Sequence, residues 1–242
     1  MSPKNRRRSG CSRIIFLLSL LLVLGTAVLT VLPALDKRHR IVIDPGHGGY
    51  DVGAVGVIEE AVMTEITARL LYEMLSEDDR FYVRLTRGEN ASASLSERCE
   101  TARKHKADLM LSVHGNSTDD LTVSGFECYP APPGRKHHDE SLRFAGLITE
   151  EMAVSGAFLR GDGGIRYAYY SEDGSKFFTE RSDTQVRSES SFAVVERAGC
   201  PAVLVEQCFV TNADDVDAFG DEDGCKRAAE VYYRAILNYF GE

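Results

Sequence analysis

"RIVIDPGHGGYDVGAVG", Arg40–Gly56, sets an apolar strand-like run directly before a glycine-rich turn that carries a histidine. Glycine clusters after strands usually cradle phosphates or make tight turns. This one has neither G-x-x-x-x-G-K-[ST] nor a proper G-x-G-x-x-G, so it is not a phosphate loop or a dinucleotide fingerprint. Its position is what stands out: His47 sits just past the end of a buried strand. Two other apolar runs end the same way. "ADLMLSVHGNS" closes on His114, and "PAVLVEQCF" carries Glu206 near its end.

Helical patterns alternate with these strands. "EEAVMTEITARLLYEML" places Val62, Ile66, Leu70 and Met74 at i, i+4 spacing, the pattern of one helix face. "FYVRLTR" reads as a strand, and "SLSERCETARKHK" opens on Ser94 or Ser96 as helix cap. "SGFECYP" reads as an edge strand and residues 140–158 as a helix. "TNADDVDAF" supplies Asn212 and Asp214 as cap candidates after the last strand, and "CKRAAEVYYRAILNYF" closes with an amphipathic helix. Alternation of this kind predicts a three-layer α/β domain with a mostly parallel sheet. Arg160–Ser191, rich in Gly, Ser and charge with interspersed aromatics, reads as a loop insertion, either a functional rim or lid or a solvated segment.

In open α/β sheets, ligands bind beyond the carboxyl ends of the strands. The fold therefore converges His47, His114 and Glu206 on one edge. Alone, His47 is as well explained as a turn histidine, and His114 as a satisfied core histidine. A carboxylate closing an apolar run is costly to bury unless it is paired or coordinated. Together, two imidazoles and carboxylates suit a catalytic zinc site with an open position.

Composition bounds the rest. "IIFLLSLLLVLGTAVLTVLPAL", residues 14–35, carries no charge and is long enough, at about 20 residues, to span a bilayer. Basic residues dominate the segment 1–13 before it. The expectation is an uncleaved single-pass anchor with the N-terminus in the cytoplasm and the domain outside the cell membrane. Residues 1–40 hold eight Lys/Arg and one acid, a net +7, so the rest of a chain of formal charge −9 carries −16. Such a domain repels polyanions, which argues against nucleic acid. Residues 40–242 have the size of one domain. Cys99, Cys128, Cys200, Cys208 and Cys225 form no C-x-x-C pair and read as mostly free, buried thiols.

Taken in order, "IVIDPGHGGYDVGAVG", "SERCETARKHKADLMLSVHGNS", "SGFECY" and "PAVLVEQCFVTNADD" resemble the zinc-dependent N-acetylmuramoyl-L-alanine amidases of bacterial cell walls, the amidase-3 type. The resemblance runs from residue 40 to the C-terminus. It implies a mixed, mostly parallel six-stranded sheet flanked by helices, one Zn2+, and peptidoglycan as substrate. It also implies cleavage of the amide between N-acetylmuramic acid and L-alanine. It places the metal ligands at His47, His114 and Glu59, with Glu60 the neighbouring alternative, and the catalytic carboxylate at Glu206. Asn116 is expected to orient either the substrate or its own loop. Asp44 reads as a partner of a ligand histidine or as an Asp-Pro turn residue. Arg87 fits the pattern without an assigned role, His137 and His138 read as solvated, and Cys208 as a packed thiol. The sequence departs from the pattern at "HGN", at "VEQCF" and in the 160–191 insertion. A wall-binding protein without activity, or a zinc hydrolase of another amide, are the rival readings.

Overall fold

The computed structural model describes residues 16–20 and 37–242. Residues 16–20 are helical; the rest of the anchor expected over 14–35, and the basic segment 1–13, lie outside the described residues. Among the described residues no helix is long and apolar enough to cross a membrane. The chain divides into two units, Met1–Arg38 and His39–Glu242.

The second unit is built on seven strands. These are β1 (His39–Pro45), β2 (Phe81–Leu85), β3 (Leu109–Asn116), β4 (Glu127–Pro130), β5 (Arg166–Tyr170), β6 (Lys176–Glu180) and β7 (Ala202–Phe209). Five form one sheet in the order β2-β1-β3-β7-β4. The first four run parallel and β4 pairs antiparallel with β7. Its helices are α1 (Glu60–Ser76), α2 (Leu95–His105), α3 (His138–Val154), α4 (Ala193–Arg197), α5 (Ala213–Phe219) and α6 (Glu222–Phe240).

Alternation along the strands divides the core in two. Ile41, Ile43, Leu109, Leu111, Val113, Val203 and Val205 pack on the face covered by α1, α3 and α6. Val42, Met110, Ala202 and Leu204 face the other way, toward α2 and α4. The three-layer α/β architecture expected from the sequence is therefore present.

Two expectations are corrected. The sheet has five strands, not six. The 160–191 insertion is not simply a loop: β5 and β6 pair as an antiparallel hairpin around "SEDGS". The residues before the hairpin run along the outer edge of β4, with isolated bridges from Phe126, just before β4, to Leu159 and from Cys128 to Ile165. Gly161, Gly163 and Gly164 between them all take positive φ, which breaks any continuous ladder. The edge of β4 is still covered, by hydrogen bonds from Phe126 N to Phe158 O and from Cys128 N to Gly164 O.

The α1 stripe also differs. Its buried positions are Glu60, Met63, Thr64, Thr67, Ala68, Leu71 and Leu75, while Val62 is 45% exposed and Ile66, Leu70 and Met74 flank the core. The cap signals agree with the structure. Ser94 caps α2 in a reciprocal capping box with Glu97, and Asn212 caps α5.

Candidate metal and hydrolytic site

The glycine run after β1 is shaped by its neighbours. Asp44, fully buried, accepts hydrogen bonds from Ser112 Oγ at 2.7 Å and Arg98 Nη1 at 2.7 Å, and from Thr86. Arg98 stands in the first turn of α2, which the Ser94 cap orients. It also donates to the carbonyls of Pro45 and His47. Arg87 donates to the carbonyls of Pro45 and Gly46 and to Glu65. Two buried guanidiniums thus hold the turn from behind, and His47 takes a left-handed backbone, φ 55. Gly46 is required by close approach: a Cβ there would lie 2.5 Å from Cε1 of His114.

Glu60 enters from the first turn of α1. Its Oε1 lies 2.9 Å from Nδ1 of His114 and 3.1 Å from Nε2 of His47, and accepts from Gly115 N. Its Oε2 accepts from Ala54 N at 2.9 Å. Burial raises the Glu60 carboxyl, but the hydrogen bonds to His114 and His47 outweigh it and hold the group well below the ordinary carboxylate range. The Glu60 hydrogen bond lifts His47 to about 9, against burial and with Asp51 adding to the rise. Asp51 Oδ2 sits 2.8 Å from Nδ1 of His47, on the far side of the ring from Glu60.

These are the features of a cation site. One atom each from His47, Glu60 and His114 lie within 4.8 Å of one another. Two imidazoles and one carboxylate are the donor set of a catalytic zinc, with coordination to spare. The outer nitrogen of His47 meets a carboxylate, the arrangement that orients ligand histidines.

Glu206 lies beside this cluster. It is the register partner of His114 in β7, so alternation puts both on one face of the sheet. Its Oε2 is buried without a hydrogen-bond partner. Burial pushes its carboxyl up to about 7, with the His114 charge opposing. A cavity of about 550 Å³ is lined by His47, Glu60, His114 and Glu206 together with residues of the hairpin. A carboxyl in such a place exchanges protons near neutrality.

The family model of the N-acetylmuramoyl-L-alanine amidases, Amidase_3, matches residues 41–238. The chain belongs to this family. Among its amidase relatives is N-acetylmuramoyl-L-alanine amidase LytC of Bacillus subtilis (strain 168), 29% identical over 204 residues, which cover 84% of this chain and 36% of LytC. N-acetylmuramoyl-L-alanine amidase AmiC of Escherichia coli O6:H1 is 25% identical over 227 residues, covering 86% of this chain and 54% of AmiC. The chain thus spans between a third and about half of these relatives' length. The catalytic domain of CwlV, an N-acetylmuramoyl-L-alanine amidase from Bacillus (Paenibacillus) polymyxa var. colistinus, superposes with a TM-score of 0.67 at 27% identity, over 84% of this chain and 98% of that one.

Within this amidase fold, the structure sorts the residues singled out in the sequence. His47, His114 and Glu206 come together. Glu60, not Glu59, stands between the histidines: Glu59 is exposed at the N-cap of α1, with no side-chain cap bond. Asp44 does not touch a ligand histidine; it anchors Arg98, and Asp51 is the carboxylate on His47. Asn116 lines the cavity, but its amide nitrogen donates to Glu127 and its oxygen accepts from Ser117 N. His138 is not solvated: its ring is half-buried and bonds to the Ala131 carbonyl. His137 too is half-buried, at the N-cap of α3. Cys208 is buried 3.4 Å from Met63 Sδ, and burial pushes its thiol far above the usual range. All five described cysteines are free and buried. Asp51, Arg98 and Glu127 carry roles that the sequence reading did not give them. For Asp51, the available signal was its place four residues after His47 in the same loop.

Proposed function

We propose that this amidase-family chain hydrolyses the amide joining the lactyl group of N-acetylmuramic acid to the L-alanine of a stem peptide. The observation that carries this reading is the unpartnered, buried Glu206 oxygen in the same cavity as the His47–Glu60–His114 cluster. His47, Glu60 and His114 would hold a zinc ion, which would supply Lewis acidity toward water and the scissile carbonyl. Glu206 accepts a proton from the attacking water and delivers it to the departing L-alanine nitrogen, acting first as base and then as acid. Asp51 keeps the His47 ring oriented. Arg98 and Arg87 fix the loop that carries it. Asn116, held by Glu127, shapes the cavity wall that meets the substrate.

The apolar run 14–35 is read as a single-pass anchor that keeps the domain outside the cytoplasmic membrane, beside its substrate. The basic flank 1–13 and the position of the run support this.

The test is Glu206→Gln. The variant is expected to keep one equivalent of zinc by elemental analysis and to lose roughly 10²–10⁴-fold in rate of peptide release from purified peptidoglycan. Retained hydrolysis contradicts the role of Glu206, and zinc lost from the variant makes it a ligand instead.

A further inference from the structure

The hairpin β5–β6 contributes one cation to the cavity. Lys176, the first residue of β6, lines it together with Tyr170 and Phe192. Its ammonium lies 4.9 Å from the ring centre of Phe192 and 5.9 Å from those of Tyr170 and Phe178. Aromatic faces hold a cation in place without neutralising it.

Five arginines on the elements around it are engaged in ion pairs. Arg98 is paired with Asp44, Arg160 with Glu127, and Arg166 with Glu127 and Glu180. Arg135 is paired with Glu196 and Arg187 with Asp183. The Lys176 side chain makes no ion pair or hydrogen bond with any described residue, although the domain around it is strongly acidic; its backbone pairs with Tyr170 across the hairpin. This exposed ammonium lies against three rings in the lining of the cavity, and its charge also reaches the Glu206 carboxyl, so it is placed to meet an anion that enters beside Glu206.

The arms that hold it there are built in. Glu127, buried in β4, accepts from Arg166 Nη1 at 2.8 Å and Arg160 Nε at 3.1 Å, and from Asn116 and Tyr129 on its other oxygen. One carboxylate therefore ties the hairpin to the sheet beside Glu206, its register partner. Arg135 clamps the returning chain through the carbonyls of Arg187 and Glu189.

We infer that Lys176 is a specificity residue that receives the free carboxylate of the second stem-peptide residue. The inference rests on the hydrolytic reading given above. The scale agrees. Each extended residue spans about 3.5 Å, so that carboxylate lies within roughly 7 Å of the scissile nitrogen. A cavity of about 550 Å³ is roughly 10 Å across, enough to hold both.

Two soluble substrates test this: muramoyl-L-alanyl-D-glutamate with its γ-carboxyl capped as the methylamide, and the same compound with the α-carboxylate as carboxamide. The zinc-loaded protein is expected to favour the carboxylate by roughly 10- to 100-fold in kcat/KM, through KM. Lys176→Met should remove that preference by raising KM for the carboxylate substrate to that of the carboxamide, and Lys176→Arg should restore it. Unchanged zinc content and thermal midpoint establish that the variants fold. Equal treatment of both substrates by the unaltered protein overturns the inference, as does an equal loss on both in Lys176→Met. Calorimetric binding of the γ-methylamide of L-alanyl-D-glutamate and of its α-carboxamide is a second readout. If neither substrate is cleaved, the hydrolytic reading falls, and the binding preference and its loss in Lys176→Met still decide the role of Lys176.

Discussion

His114 and Glu206 stand opposite one another in adjacent parallel strands, a metal-ligand candidate and a proton-transfer candidate one hydrogen-bonded register apart. The sheet itself fixes their spacing, and side-chain rotamers only refine it. Glu60 and His47 are brought to the same place by the helix and loop at the carboxyl ends of these strands, where open α/β sheets bind ligands.

Glu60 and Glu59 can be separated experimentally. Glu60→Ala should abolish stoichiometric zinc, because the carboxylate bridges both histidines. Glu59→Ala removes an exposed side chain and should leave zinc content and thermal midpoint close to the starting values. Elemental analysis of the two purified variants checks both outcomes.

Gly46→Ala tests the packing of the turn. Its Cβ would meet the His114 ring at 2.5 Å, so the imidazole must shift. Zinc affinity, measured by chelator competition, should fall by roughly 10- to 100-fold, the range seen when the surroundings of a ligand are disturbed.

Arg98→Ala leaves the Asp44 carboxylate buried without its cation. An uncompensated buried charge costs about 3–5 kcal/mol. The loss should show as a lower denaturant midpoint. Asp44→Asn in the same background should recover part of it, since the stranded charge is then gone.

Acid stability has a distinct marker at Asp78. Arg80 binds this carboxylate through both Nε and Nη2, and Tyr233 of α6 donates to it, holding its pKa below the usual range. A depressed carboxylate stabilises the fold above its unfolded pKa of about 3.9, and this stabilisation is lost as pH falls through the folded value. Asp78→Asn should therefore lower the thermal midpoint at pH 7, by a difference that shrinks progressively as pH falls below about 4.

The parallel strands, the capped helices and three of the four central site residues were legible because each follows from local signals: apolar runs, caps and polar residues at strand ends. The choice of glutamate was not. The stripe counted from Val62 lies one residue off the buried face, and the same shift favours Glu59 over Glu60. Thr64 and Thr67 hid the true face. The Thr64 hydroxyl bonds to Gly46 O, and Thr67 bonds to the Gln207 amide, so polar residues occupy core positions at no net penalty. The hairpin was missed because charge and glycine masked it, although Asp173-Gly174 between "RYAYY" and "KFFTE" is a hairpin signal. Asp51 acts through His47 within an irregular loop, and Glu127 through partners on other elements, which periodicity does not report.

The most direct test is mass identification of the products from purified peptidoglycan and the zinc-loaded protein. Stem peptides with a free L-alanine N-terminus and intact glycan strands are predicted, with no release after zinc is removed by a chelator. Shortened glycan strands, or peptides cut at another amide, would contradict the hydrolytic role proposed for this site.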